Sequence, residues 1–420
     1  MHPFTLAFLV ALALTTATQL WLARRHVLHI AANRDRVPAG FSGSITLDAH
    51  QKAADYTIAK TRLGMLETLL GAALLLAFTL GGGLQFISDA WQRSFPADSY
   101  AHGIALIVTV AIVAGVFDLP FNLYRTFVIE ARHGFNRMTV KLFFADLLKQ
   151  SAIGALLGVP LAFLVLWLMA RMGESWWLYV WITWIVFNLL VVTLYPTLIA
   201  PLFNKFTPLD DTGLRSRIEA LLQKCGFRAQ GLFVMDSSRR SSHGNAYFTG
   251  FGAAKRIVLF DTLLSRLQPQ EIEAVLAHEL GHFSHHHVYK RMAMLFGLSL
   301  AFLWLLGELA GQKWFYSGLH VETHTTAMAL LLFFLAIPVF TFLLQPLASL
   351  YSRRHEYEAD AYAARYASAA DLVQALVKLY QDNAATLTPD PLHSAFYDSH
   401  PPAVLRISRL QLQSAPAYSG

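Results

Sequence analysis

Long apolar runs alternate with short polar segments along this chain. Each run has about the 20 residues that an α-helix needs to cross the hydrocarbon core of a bilayer. The seven runs span residues 4–23, 63–84, 103–123, 151–170, 176–200, 292–311 and 327–350. The pattern therefore predicts an all-α polytopic membrane protein with about seven transmembrane helices.

The composition agrees with this interpretation. Of the 420 residues, 55% are hydrophobic and 14% are charged, whereas soluble globular proteins carry about 25% charged residues. The net charge of +6 is explained more simply by basic cytoplasmic loops than by nucleic-acid binding, and we expect no nucleic-acid partner. The single cysteine, Cys225, excludes internal disulfide bonds, so any zinc site would have to use histidines and carboxylates.

Basic residues are distributed unevenly between the two sides of the predicted membrane. Segments 24–62 and 124–150 are rich in Lys and Arg, whereas 85–102 and 312–326 contain one such residue each. Because basic loops face the cytoplasm, the N-terminus is predicted outside, and the polar segments after the fifth and seventh runs are predicted in the cytoplasm. The first run is followed, not preceded, by arginines, which favours an uncleaved span over a signal peptide.

Four regions follow from these spans. Residues 1–200 are predicted to form a membrane bundle of spans one to five, and residues 201–291 a small α/β unit. Residues 292–350 are predicted to form a transmembrane hairpin of spans six and seven. Residues 351–420 then return to the side of the α/β unit and complete the same domain.

The segment 201–291 combines helix and strand signals. Asp210 or Asp211 can cap a helix that ends near Cys225, with Gly226 as its stop, and Pro269 is suited to the first turn of a later helix. Short runs rich in β-branched and aromatic residues predict three strands between these helices. The strands are expected at residues 231–236, 245–251 and 256–260.

The most informative motif is HELGH, at residues 278–282, on the helix that follows Pro269. Histidines four apart on a helix are separated by about 40° around its axis, so His278 and His282 can reach one metal ion. Glu279 lies on the adjacent flank, where its carboxylate can take a proton from a zinc-bound water. The alternative interpretation is a surface helix with two unrelated histidines.

A catalytic zinc also needs a third protein ligand and an open coordination position. One known spacing would place a histidine six residues after His282, but that position is Val288. Residues 285–287 are all histidines. His286 lies one helical step beyond His282 on nearly the same face, and we interpret it as a flanking or solvated residue, because three ligands along one straight helix cannot all converge on one ion.

A better source for the third ligand is RRHEYEADAYA, at residues 353–363, directly after the last span. Glu356 and Asp360 are four apart and share one helix face. Glu356 can ligate zinc, and Asp360 can hold a zinc-binding histidine through its free ring N–H. Glu358 points about 200° away and is expected to face elsewhere. The alternative is a solvated acidic helix face.

HELGH and SRRHEYEADAYA, separated by a membrane hairpin, resemble the type I CaaX prenyl endopeptidases, which are integral-membrane zinc metalloproteases. Three more stretches resemble this family: LPFNLYRTFVIEARHGFN at 119–136, SSRRSSHGNAYFTGFG at 237–252, and HSAFYDSHPPAVLRI at 393–407. The resemblance covers nearly the whole chain. It implies a ring of seven helices around a water-filled intramembrane chamber, closed at one end by a zincin-like α/β metalloprotease domain.

The resemblance also implies roles for individual residues. His278, His282 and Glu356 match the ligands of one Zn²⁺ per chain, and Glu279 matches the general base. Asp360 matches the carboxylate that supports a zinc ligand. The remaining matches are His400, near the metal and oxyanion; Asn245, Ala246 and Tyr247, on a strand that would hold an extended substrate; and Arg406, a basic residue that would contact a substrate C-terminus.

The implied activity is zinc-dependent hydrolysis of peptide bonds near the C-terminus of prenylated CaaX-type or other membrane-associated substrates. Short loops and the excess of Arg over Lys suit a bacterial homologue, which would lie in the inner membrane; a eukaryotic one would lie in the endoplasmic reticulum membrane. One alternative is a zinc protease for the quality control of misfolded membrane proteins. Another is a non-catalytic transporter or scaffold with structural zinc, which would have a closed four-ligand site.

Overall fold

The computed structural model of the chain describes residues 2–229, 231–249 and 256–414, and these ranges are mainly helical. In chain order the α-helices are α1 (Pro3–Asn33), α2 (Leu47–Phe78), α3 (Gly83–Gln92), α4 (Tyr100–Tyr124), α5 (Val140–Arg171), α6 (Trp176–Leu194), α7 (Thr212–Lys224), α8 (Asp261–Leu264), α9 (Pro269–Ser284), α10 (His287–Ala310), α11 (Lys313–Ser317), α12 (Thr326–Thr341), α13 (Gln345–Tyr366), α14 (Ala369–Asp382), α15 (Pro391–Tyr397) and α16 (Ala403–Ser414).

Seven helical segments of the described chain are long and apolar enough to cross a membrane, which confirms the number expected from the apolar runs. They are α1, α2, α4, α5, α6, α10 and the nearly continuous pair α12 and α13. Outward-facing side chains such as Leu148 and Leu156 are 71% and 72% exposed. Apolar exposure on this scale suits contact with lipid rather than with water.

The second membrane helix differs most from its predicted bounds. The apolar run spans residues 63–84, whereas α2 begins at Leu47 and ends before a turn at residues 81–83. Gly82 has a left-handed backbone there, with φ of 75°. A Cβ at Gly81 or Gly83 would lie 2.8 Å or 2.7 Å from the backbone oxygen of Ala77. The turn therefore requires glycines, and α3 starts as a separate helix.

The α/β part contains one sheet of four strands, with the order β1-β2-β4-β3. The strands are β1 (Phe206–Pro208), β2 (Gly231–Met235), β3 (Ala246–Thr249) and β4 (Arg256–Phe260). β2 and β4 are parallel, and the other pairs are antiparallel. Three strands were expected; β1 was missed because it has three residues and includes a proline, which a sheet tolerates at an edge.

The return hairpin brings α13 back onto α9. α12 ends at Thr341, a short 3-10 turn follows, and α13 begins at Gln345 with Pro346 in its first turn. The predicted domain boundary at residue 350 therefore falls inside α13, and the boundary at residue 291 falls inside α10. Both helices continue from the apolar segments into the polar ones, because helical hydrogen bonding does not stop where hydrophobicity changes.

Candidate metal centre and active site

Helix α9 is held firmly at both ends. A capping box closes its first turn, with the Gln268 N–H donating to Glu271 Oε2 at 2.7 Å and Pro269 in the first turn, as predicted. Lys378 Nζ lies 2.6 Å from Glu271 Oε1 and ties this end to α14. At the other end His286 adopts φ of 57°, so the chain turns before α10 begins.

One face of α9 packs in the core of the α/β part, and the opposite face carries the two histidines of the motif. Ile272, Leu276 and Leu280 follow one another at i, i+4 and i+8, and each is at most 2% exposed in the core of the α/β part. This apolar stripe holds the helix against the sheet. His278 and His282 lie roughly 200° around the axis from that stripe, on the side where α13 crosses.

His278, His282 and Glu356 converge at this crossing. His278 Nε2 lies 3.3 Å from His282 Nε2 and 3.5 Å from Glu356 Oε2, and His282 Nε2 lies 3.3 Å from Glu356 Oε1. A metal site of three or more residues needs His, Cys, Asp or Glu side chains whose donor atoms lie close together. In the described part of the chain, one group meets this condition, and it consists of these three residues. The ligand set expected from the sequence is therefore brought together in space.

The donor chemistry of this cluster fits a metal ion. Two imidazole nitrogens and one carboxylate are a ligand set that zinc uses in catalytic sites. Glu356 Oε2 is buried and has no hydrogen-bond partner within the described ranges. His400 Nδ1 approaches this oxygen to 2.5 Å, but without the geometry of a hydrogen bond. A bound cation would satisfy the buried oxygen.

A buried carboxylate and guanidinium support His278. Asp360 Oδ1 lies 2.9 Å from His278 Nδ1, and Arg406 donates from Nη2 to Asp360 Oδ1 at 2.6 Å and from Nε to Oδ2 at 2.9 Å. Burial alone would lower the pKa of His278, but the Asp360 and Glu356 carboxylates outweigh it and raise that pKa to about 9. Asp360 therefore contacts the ring nitrogen of His278 that would not face a metal ion, and its role as a support for this histidine stays a prediction.

Arg406 lies in a different environment from the one expected. Its side chain is 6% exposed, and the donors Nε and Nη2 are directed at Asp360. Its Nη1 is 3.6 Å from Glu356 Oε2. The expectation that it contacts a substrate C-terminus is corrected, because the guanidinium is buried behind the ligands rather than presented to a substrate.

His282 has a support that the sequence interpretation missed. Its Nδ1 lies 3.0 Å from His287 Nδ1, and His287 Nε2 lies 2.9 Å from Glu358 Oε2. The sequence interpretation assigned no role to His287, because a straight helix was assumed through the histidine cluster; the turn at His286 instead brings the next helix back toward α13. Glu358 does not touch the three donors, as expected, but it reaches His282 through His287.

His400 and Glu279 complete the neighbourhood. Glu279 is half-buried on α9, between the two histidines of the motif. His400 is exposed in the loop between α15 and α16, and it lines a cavity of about 500 Å³ together with His26, Lys60 and Tyr380. The cavity thus lies between the membrane helices and His400, whose ring contacts the carboxylate of Glu356.

Asn245, Ala246 and Tyr247 lie at and in the edge strand of the sheet. Ala246 and Tyr247 pair with Leu259 and Val258 of β4. Within the described ranges no strand pairs with the other side of β3, and α9 packs next to it. An unpaired strand edge is the surface to which an extended peptide can add.

Comparison with known proteins agrees with this geometry. Residues 26–205 match the CAAX prenyl protease N-terminal region of five membrane helices, and residues 208–413 match peptidase family M48. The chain is 36% identical over 381 residues to the CAAX prenyl protease 1 homolog of Arabidopsis thaliana, covering 88% of this chain and 89% of that protein. It is 31% identical over 407 residues to CAAX prenyl protease 1 of Saccharomyces cerevisiae, covering 90% and 89%.

A solved structure is similar over the same length. The crystal structure of S. mikatae Ste24p superposes with a TM-score of 0.91 and 29% identity, covering 98% of this chain and 99% of that one. These matches confirm the resemblance and the fold expected from the sequence motifs. They support a metalloendopeptidase and not a non-catalytic transporter or scaffold. The chain therefore belongs to the CAAX prenyl protease 1 family, a group of multi-pass membrane metallopeptidases within peptidase family M48.

Proposed function

We propose that this protein is a zinc-dependent endopeptidase that cleaves near the C-terminus of prenylated CaaX-type or other membrane-associated substrates. The observation that carries the proposal is the convergence of His278, His282 and Glu356, whose donor atoms lie within 4.8 Å of one another. These three residues would hold one Zn²⁺ and leave a position open. When bound, zinc would lower the pKa of its water to about 7 and polarise the scissile carbonyl.

Two further side chains have roles in the chemistry that we propose. Glu279 takes a proton from the attacking water and later passes it to the leaving amine. His400, next to Glu356, donates a hydrogen bond to the oxyanion that develops on the scissile carbonyl. The two prolines that follow His400 restrict its backbone, so the donor needs little reorganisation during the reaction.

The substrate would bind in extended form along the free edge of β3. Backbone groups of Asn245, Ala246 and Tyr247 would make the main-chain hydrogen bonds of an added strand, which fix the register of the peptide without selecting its side chains. The CaaX specificity is supported by the names of the relatives, which are CAAX prenyl proteases. Asp360 and Arg406 would act behind the metal ligands and would not touch the substrate.

We also propose that the metal site faces the cytoplasm, in the inner membrane of a bacterium. Basic segments at 24–62 and 124–150 support this orientation. Reporter fusions after Arg24 and Lys149 should therefore read cytoplasmic, and a fusion near Lys313 should read external. A cytoplasmic signal at Lys313 would contradict the membrane hairpin between α9 and α13.

The deciding experiment is mass spectrometry of a farnesylated CaaX peptide after incubation with the purified protein in lipid nanodiscs. The expected result is release of a C-terminal fragment by the wild type and none by Glu279→Gln, with equal zinc content in both. The same peptide without the farnesyl group tests whether the lipid is recognised. Cleavage of misfolded membrane proteins but not of the CaaX peptide would instead support the quality-control function.

A further inference from the structure

We infer that His287, supported by Glu358, is a positioning residue for His282. It holds the imidazole of His282 in the tautomer and orientation that leave Nε2 free for a metal ion. The inference rests on the proposed metal site, and it assigns a role to two residues whose sequence context indicated none.

The contacts form an unbroken chain from the metal centre to the protein surface. His282 Nδ1 lies 3.0 Å from His287 Nδ1, and His287 Nε2 lies 2.9 Å from Glu358 Oε2. Arg354 Nε donates in turn to Glu358 Oε1 at 3.1 Å. Each distance lies within the range of a direct hydrogen bond, so the contacts connect His282 to Arg354 without a gap.

The direction of these hydrogen bonds follows from the ligand role of His282. A ring that binds a metal through Nε2 carries its proton on Nδ1. His282 Nδ1–H must then donate to His287 Nδ1, which accepts. The remaining proton of neutral His287 lies on Nε2 and is donated to the carboxylate of Glu358. A single set of tautomers thus satisfies both contacts, and it is the set that metal binding by His282 requires.

His287 is also held in place by packing. It is 4% exposed, and its ring stacks on that of His355 with centroids 3.9 Å apart and an interplanar angle of 9°. A ring fixed in this way presents Nδ1 to His282 in one direction only. The rigidity distinguishes His287 from a solvated histidine that meets its neighbour by chance.

The two histidine ligands are therefore supported from the same helix, by different means. Asp360 of α13 contacts His278 directly, whereas Glu358 of the same helix acts through the interposed ring of His287. Each of these two carboxylates is also paired with an arginine: Asp360 with Arg406, and Glu358 with Arg354. Partners of this kind fix the ring and raise its basicity, and their loss lowers metal affinity about 10–100-fold.

The test compares two substitutions of one residue in the full-length protein. His287→Phe keeps the ring and the stacking but removes the acceptor, whereas His287→Asn places an amide oxygen close to the position of Nδ1. His355→Phe is the matched control, since it makes the same chemical change in the neighbouring stacked ring. Zn²⁺ affinity is measured by competition with a chelator, the absorption spectrum is recorded with bound Co²⁺, and thermal unfolding is recorded for the metal-free forms.

We expect His287→Phe to weaken zinc binding about 10–100-fold and to alter the Co²⁺ spectrum, with His287→Asn closer to the wild type and His355→Phe unchanged. Wild-type zinc affinity in His287→Phe would overturn the inference. Equal losses of affinity and of metal-free stability in the Phe and Asn variants would also overturn it, because they would indicate a purely structural role. A wild type that binds zinc no better than His282→Ala would overturn the proposed metal site itself.

Discussion

The glycine of HELGH lies where α9 and α13, the two helices that carry the candidate metal ligands, approach each other closely. A Cβ added at Gly281 would lie 2.9 Å from Ala359 Cα, 3.0 Å from Tyr362 Cβ and 3.2 Å from Ala359 O on α13. All three are backbone or Cβ atoms, so no side-chain rotation can relieve the contact. We therefore expect Gly281→Ala to push α9 and α13 apart.

The size of the displacement follows from these distances. Carbon atoms pack at about 3.5–4.0 Å, so the helices must separate by at least ~0.5 Å to accommodate the methyl group. Glu356 lies on the same stretch of α13 as Ala359 and moves with it. Metal sites tolerate distance errors of about 0.2 Å, so we expect zinc affinity to fall at least about 10-fold. Overpacking of this kind also lowers the free energy of unfolding by about 1–3 kcal/mol.

The assay is chelator competition for Zn²⁺ combined with thermal unfolding of the metal-free protein. Gly307→Ala is the matched control, because its Cβ would lie 3.0 Å from Trp177 Cδ1 in the membrane bundle, far along the chain from the metal ligands. It should lower stability and leave zinc affinity unchanged. Gly297→Ala, which has open space around it, should change neither. Unaltered zinc affinity in Gly281→Ala would refute the idea that this close crossing sets the ligand distances.

Three other predictions concern the chemistry of the site. Glu279→Gln should retain zinc and lose hydrolysis by orders of magnitude, measured by metal analysis and peptide cleavage; activity near that of the wild type would exclude Glu279 as the base. His400→Ala should lower kcat by roughly 10²–10³ without releasing metal, and loss of metal would instead identify His400 as a support for the ligands. Because the pKa of His278 is raised to about 9 in the metal-free protein, this ring is protonated at neutral pH and must lose its proton when metal binds. Calorimetry at pH 7.5 in buffers of different ionisation enthalpy should thus detect about one proton released per zinc ion from this ring, in addition to the proton that the zinc-bound water loses. Release of less than one proton in total would contradict the raised pKa.

Features that depend on local chemistry were predictable from the sequence. Helix α7 starts after its cap, Asp211, and ends before Gly226, which has φ of 66°, as the capping pattern indicated. The number of membrane-crossing helices was also correct, because bilayer thickness imposes a minimum apolar length. The start of α2 was not predictable in this way. Residues 47–62 are polar but helical, and hydrophobicity locates the part of a helix in lipid rather than its end.

The sequence predicted those parts of the candidate site in which both residues lie on the same face of one helix. The pairing of His278 with His282, and of Glu356 with Asp360, follows from a spacing of four residues. The contribution of His287 depends on a turn at His286, which has a left-handed backbone conformation. A histidine rarely adopts this conformation, so the residue type did not predict the turn. The position of Arg406 was likewise hidden, since it depends on how α16 packs against α13.

The membrane hairpin between α9 and α13 has a consequence for biosynthesis. On the proposed site, about 70 residues separate the HELGH histidines from their carboxylate partner, and a ribosome adds them in roughly 4–14 s at 5–20 residues per second. During that interval the nascent chain carries two metal-binding histidines but no complete centre. On the proposed orientation, the chain crosses the bilayer outward and returns before Glu356 meets them, so completion of the proposed site depends on insertion of the hairpin. On the proposed site, a chain that fails to insert this hairpin would consequently lack a complete metal centre and would be inactive, rather than an active protease in the wrong compartment.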